Sequence, residues 1–209
     1  MLGLSPTDLI ARLITLIVAL SVHEFAHAWT ADQLGDDTPR LQGRLTLNPL
    51  AHLDPLGSVM LIIAGFGWAR PVVVNPYQLQ RRSPAAMMLV AIAGPFSNLL
   101  MAILAAIPFR AGLLTLGLSR SFTTELLAQF IFINLILMFF NLIPISPLDG
   151  EKVADFLLPP GGQRLLDRVR PYGPFLLLGL LVLGSFGGLD LLGTLIGQPA
   201  MSVFRLLIT

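Results

Sequence analysis

The sequence predicts a polytopic α-helical membrane protein. Its expected plan is a three-span core plus a C-terminal span, with a small β-sheet and a re-entrant segment between the first two core spans. Three observations carry this. The 209 residues are 55% hydrophobic and only 12% charged, with a mean hydropathy of +0.79, so the chain lacks the polar surface of a soluble domain. Apolar runs long enough to cross a bilayer recur along it. Between the first two lie strand-like alternation and an apolar stretch too short to span. A net charge of +1 with dispersed basic residues argues against a nucleic-acid partner. The absence of cysteine excludes disulfides and thiolate metal sites.

Ser5-Pro6-Thr7-Asp8 is a helix start, with Ser as N-cap, Pro at the first helical position and an acid in the first turn. The apolar run after it lacks a basic leader and a small-residue cleavage site, so it is expected to be a retained span reaching about Gly35. At 1.5 Å per residue from Leu9, His23 lies roughly 20 Å into a hydrocarbon layer about 30 Å thick. From Leu41 to Asn48, apolar and polar residues alternate, which predicts a short strand. Val72 to Val74, between Pro71 and Pro76, predicts an edge strand. Leu56 to Ala69 is too short for a span and reads as re-entrant or surface-lying.

Ser83-Pro84 opens a second long helix, to about Pro108, bent near Gly94-Pro95. A third runs from about Thr124 to Leu142 and ends in Asn141-Leu-Ile-Pro-Ile-Ser-Pro-Leu-Asp-Gly150, whose prolines force the backbone out of helix. Backbone groups freed inside a bilayer need protein or water partners, so this stretch is expected to line a cavity. Glu151 to Arg170 reads as a polar loop with Pro159 to Gly162 as its tip. Tyr172 to about Gly187 forms most of a last span. The expected division is a core of residues 1–152 and a cytoplasmic loop with C-terminal membrane segments over 153–209, with no internal repeat or appended soluble domain.

The chemistry is concentrated in His23-Glu24-Phe25-Ala26-His27. Histidines four apart share a helix face and can bind one metal ion, while the Glu between them lies to the side, where a general base can reach water without coordinating. Zinc needs a third protein ligand. Asp149 is the strongest candidate, because an acid at the broken end of a span is costly without a cationic partner. His23 and Asp149 both lie toward the C-terminal ends of their helices, so they meet only if those helices run parallel. That requires Leu56 to Ala69 not to cross. The basic residues agree: Arg40, Arg44, Arg70, Arg81, Arg82, Lys152, Arg164, Arg168 and Arg170 fall on one side, and Arg110 and Arg120 on the other, with Arg12 near the start of the first helix. By the positive-inside rule the site faces the cytoplasm.

These motifs resemble the site-2 protease family of intramembrane zinc metalloproteases. The resemblance extends to Gly43-Arg-Leu-Thr-Leu-Asn-Pro49, His52-Leu-Asp-Pro55, Gly67-Trp-Ala-Arg-Pro71, Ala93-Gly-Pro-Phe-Ser-Asn98 and Asn141 to Gly150, in order over roughly residues 16 to 152. It is similar to the compact branch without PDZ or CBS domains, although Ser146 stands where proline is common. The resemblance implies three core spans with a small sheet, one zinc ion held by His23, His27 and Asp149, Glu24 as general base, and cleavage of membrane-spanning protein substrates in a cell (inner) membrane.

Asn141 could donate to an oxyanion, or cap freed carbonyls. Asn98 is a candidate for substrate backbone contact, with helix packing as the alternative, and His52 for substrate or supporting contacts near the site. Competing functions are a divalent-metal transporter, which should stack several polar ligands across the bilayer, and a catalytically silent membrane binding protein.

Overall fold

A computed structural model describes residues 6–64, 67–116, 121–186 and 192–209. In chain order these form α1 (Pro6–Gln33), α2 (Thr38–Leu41), a 3-10 turn (Pro49–Ala51), α3 (Pro55–Ala64), α4 (Pro76–Arg82), α5 (Ala86–Arg110), α6 (Phe122–Asn141), α7 (Asp149–Leu157), α8 (Pro160–Val169), a 3-10 turn (Arg170–Tyr172), α9 (Gly173–Phe186), a π-helical turn (Gly193–Gly197) and α10 (Gln198–Ile208).

Among the described residues, three helices are long and apolar enough to cross a membrane: α1, α5 and α6. At 1.5 Å per residue, even the shortest of them, α6, is about 30 Å long. Their polarity is inside out. The faces turned into the bundle carry Ala11, Thr15, Ala19, His23 and His27 on α1 and Gly94, Asn98, Ala102 and Ala106 on α5. The exposed faces carry Ile10, Ile14 and Val18 on α1, and Phe96, Leu100, Ile103 and Ile107 on α5. Small residues let helices approach closely where lipid supplies no hydrophobic drive, and the large side chains face outward. α10 completes the bundle, with Ala200 and Phe204 buried among Ala102, Ala106, Phe109, Ile131 and Leu135.

α3 has ten residues, or about 15 Å of helix, half of a hydrocarbon layer. It does not meet the length of a span. α9 covers 14 described residues, and the last-span expectation from Tyr172 to about Gly187 runs into residues outside those described.

The expected sheet is absent among the described residues, where the β pairing is one antiparallel bridge between Leu53 and Ala69. Leu41 ends α2, Gly43 turns back at φ +69°, and the residue turned inward is Arg44, while Leu41 and Leu47 are exposed. The alternation therefore has the opposite sense from a buried-face strand. Arg44 explains this, since its Nη1 donates to the carbonyls of Ala51 and Arg70 (the latter at 3.4 Å) and closes the loop on itself. Val72 to Val74 lies outside any helix or strand and has no ladder partner. Its backbone is held by side chains and loops instead: Arg70 N–H donates to His52 O at 2.7 Å, Val72 N–H to Glu24 Oε2 at 3.1 Å, and Asn75 N–H to the buried Asp36 at 2.6 Å. Those bonds meet the backbone's hydrogen-bonding requirement without a sheet.

The stretch expected as a polar loop, Glu151 to Arg170, is two helices. Pro160 sits at the first position of α8, where its missing N–H costs nothing, and Leu165, Leu166 and Val169 recur at helical spacing. The boundary expected at residue 152 falls inside α7.

Candidate metal centre

α1 presents His23 and His27 one turn apart on its buried face, and α5 crosses directly against them at Gly94. A Cβ at Gly94 would stand 2.4 Å from His27 Nε2 and 2.6 Å from His23 Nε2, so only glycine lets the helices close this far. Each ring is then fixed through its other nitrogen. His27 Nδ1 donates to Val90 O at 2.7 Å, and His23 Nδ1 to Asn98 Oδ1 at 2.6 Å. With the proton on Nδ1 in both, both Nε2 atoms present lone pairs to the same point, 3.0 Å apart.

Asp149 brings the third donor. α6 ends at Asn141, the chain turns through Ile143 to Leu148, and α7 begins at Asp149 itself. Gly150 makes the fold-back tight, because a Cβ there would lie 2.3 Å from the Leu142 carbonyl oxygen. Asp149 Oδ2 comes to rest 3.2 Å from His23 Nε2 and 3.3 Å from His27 Nε2, buried and without a hydrogen-bond donor. Three electron-pair donors within 3.3 Å, with no proton among them in these tautomers, repel unless a cation joins them. Donors about 2.0 to 2.2 Å from a tetrahedral zinc stand roughly 3.3 Å apart, so the set fits such an ion. Among the described residues it is the one group of three such donors close enough to hold a metal.

Glu24 is buried beside the rings but outside the donor set. Its Oε2 accepts the Val72 N–H, which orients the carboxylate and leaves Oε1 available. A cavity of about 240 Å³ opens here, lined by the donors, Glu24, Val72, Val74, Met87, Asn141 and Lys152 among others. Asn141 spends one N–H on Leu137 O at 3.0 Å and retains the other.

Two expected contact residues lie elsewhere. Asn98 is fully buried with both ends of its amide occupied, Oδ1 by His23 and Nδ2 by Asn134 Oδ1 at 2.8 Å, so its amide is spent on holding the His23 ring. His52 is fully buried in the loop before α3, its Nε2 on Thr46 O at 2.7 Å, and does not line the cavity. It secures the loop. Sequence reasoning missed Asn134, which extends the relay to Phe130 O at 2.8 Å. Its signal was present, since an amide inside an apolar span is costly without a partner.

Missed too was the support beneath Asp149. Glu151 is fully buried and bound by Lys152 and, at 2.6 Å, by Arg170. Burial opposes the charge on Arg170, but the hydrogen bond and charge of Glu151 outweigh it and hold the guanidinium pKa above its usual value.

No protein-family model and no solved structure matches the chain. Among curated proteins it is 43% identical over 186 residues to the Bacillus subtilis (strain 168) protein named "Putative zinc metalloprotease YwhC", covering 83% of this chain and 81% of that one. It is 33% identical over 176 residues to Rip2 of Mycolicibacterium smegmatis, and 35% identical over 175 residues to Rip2 of Mycobacterium tuberculosis (strain H37Rv), both bearing the same zinc metalloprotease description. It spans 64% and 66% of those two longer relatives. Identity this high across four-fifths of both chains, together with the motifs that supply the three donors, means that the chain belongs to the site-2 protease family of zinc metalloproteases.

Proposed function

We propose that the protein is an intramembrane zinc metalloprotease that hydrolyses peptide bonds in or near the membrane-spanning segments of other membrane proteins, as in regulated intramembrane proteolysis. The observation that carries this reading is the donor triangle of His23, His27 and Asp149 with Glu24 at its side, set within helices of membrane-spanning length. The asymmetry of basic residues supports a centre toward the cytoplasmic face of a cell (inner) membrane, in a chain that crosses several times.

His23 Nε2, His27 Nε2 and Asp149 Oδ2 would hold one zinc ion. Bound there, zinc supplies a Lewis acid that polarises the scissile carbonyl and makes water acidic enough to lose a proton near neutral pH. Glu24, oriented by the Val72 N–H, takes that proton through its available oxygen and returns it to the leaving amine. Asn141 lines the same cavity, and the N–H it does not spend on Leu137 O is suited to hold the developing oxyanion or a substrate carbonyl. A helical substrate must unwind before attack, because its carbonyls are bonded internally. Pro71, Val72 and Val74 line the cavity wall, and this non-helical stretch offers backbone groups to the unwound substrate, in place of the strand expected at Leu41 to Asn48.

Purified Glu24→Gln protein should retain about one zinc per chain and lose cleavage of a membrane-embedded substrate by roughly 100-fold or more. Undiminished cleavage would remove Glu24 from the mechanism. A transporter would need further ligands along a path. The described residues offer a single donor group, but zinc flux into liposomes without proteolysis would overturn this choice.

A further inference from the structure

A second, larger cavity of about 550 Å³ adjoins the first. It lies between the α4–α5 corner and the α7–α8 pair, lined by Gln80, Pro84, Met88, Asp155, Phe156, Gln163 and Arg170. Met87 and Lys152 belong to both linings, so these two side chains form the partition between the cavities. The size falls within the range of ligand sites, roughly 300 to 1,000 Å³.

The lining chemistry narrows the occupant. Lys152 and Arg170 are both engaged by the buried Glu151, and Arg170 also reaches Asp155 at 3.5 Å and Asp167 at 2.9 Å. No unspent positive charge therefore awaits a phosphate or a lipid headgroup. What the walls offer is a mixture: amide and ammonium donors, carboxylate and amide acceptors, and the methionines and Phe156. Donors and acceptors together suit the N–H and C=O groups of an unfolded peptide, and methionines adapt to whatever side chains it carries.

We infer that this second cavity is a subsite for the non-helical flank of the peptide substrate, which passes between Met87 and Lys152 from the catalytic cavity and is gripped there in extended form. The inference rests on the proteolytic reading above. Lys152 also follows Asp149 by three residues on α7, so the partition and the third metal donor share one helix face. Binding energy gathered on the flank can thereby be spent on holding the scissile bond at the metal centre.

The test uses zinc-loaded full-length enzyme in detergent micelles and a set of substrates with one cleavage sequence and flanks lengthened residue by residue on each side. Wild-type kcat/KM is expected to rise at least about tenfold as one flank grows to several residues, then level off. Met88→Trp and, independently, Gln80→Trp fill the second cavity without touching the first. Both should erase that increment while cutting the shortest substrate at the wild-type rate with an unchanged zinc content. An increment that survives both variants, or that never develops in the wild type, overturns the subsite. Inhibition of the wild type by anionic-lipid micelles that both variants escape, with no flank dependence, would reassign the cavity to lipid and overturn the subsite as well. Failure of wild-type enzyme to cut any of the substrates would instead refute the proteolytic reading.

Discussion

The two halves of the metal centre are built in different ways. The histidine half stands on two long helices, and each ring is fixed at its far nitrogen by a neighbour on α5. The aspartate half stands on a broken backbone, where no donor steers Asp149 Oδ2 and its place depends on the fold-back at Gly150 and the Glu151–Arg170 pair beneath. One half is oriented by hydrogen bonds within a packed bundle, the other by chain path. A site made this way has rigid nitrogen donors and an oxygen donor whose position can be lost separately.

The largest expected effect strikes the histidine half. Gly94→Ala drives a methyl group into both rings, and metal affinity should fall by more than the roughly 100-fold that loss of an outer hydrogen bond causes. Competition against a calibrated chelator measures it, and near-normal affinity would show that α5 can retreat. Gly150→Ala comes next, because it displaces the Leu142 carbonyl and with it Asp149, leaving the two rings in place. This variant should still bind zinc weakly through His23 and His27, with proteolysis lost. If it instead keeps full activity, the chain path is not what places the third donor.

Smaller effects grade the hydrogen-bond relay. Asn98→Ala frees the His23 ring, so zinc affinity should drop about 10- to 100-fold. At saturating zinc the KM for substrate should be near normal, whereas a contact residue would raise it. Asn134→Leu acts one step further out by unpairing Asn98 Nδ2, and is expected to cost about 1 to 3 kcal/mol of stability in thermal unfolding with only a few-fold change in zinc affinity. Equal affinity losses in the two variants would mean that the relay acts as one unit.

What could be read from the sequence divides along the same line. Helical spacing gives the rings one face, and the broken end at Asn141 to Gly150 gives Asp149 a reason to be there, so the grouping of these three side chains and the three long helices are accessible from pattern alone. The wall opposite was not. Alternation over Leu41 to Asn48 has the period of a strand, but it cannot reveal that Arg44 turns inward to bind two distant carbonyls, a tertiary contact that reverses which residues are buried. Asn98 was noticed for its polarity, yet its role depends on a neighbour 75 residues away in the chain. Glu151 to Arg170 reads as a loop because its helices are polar and proline-flanked, and the Glu151–Arg170 ion pair that ties its two ends together leaves no local pattern.

The order in which the donors appear along the chain has a consequence for biosynthesis. His23, His27, Gly94 and Asn98 are all present once α5 has been made, so the two rings can adopt their final tautomers early. Asp149 follows only after a third long helix and the turn beyond it, more than two-thirds of the way through the 209 residues. Until that turn closes, a nascent chain has Glu24 and two nitrogen donors but not the full donor group. The third member of the donor group thus arrives only when about 60 of the 209 residues are still to be made.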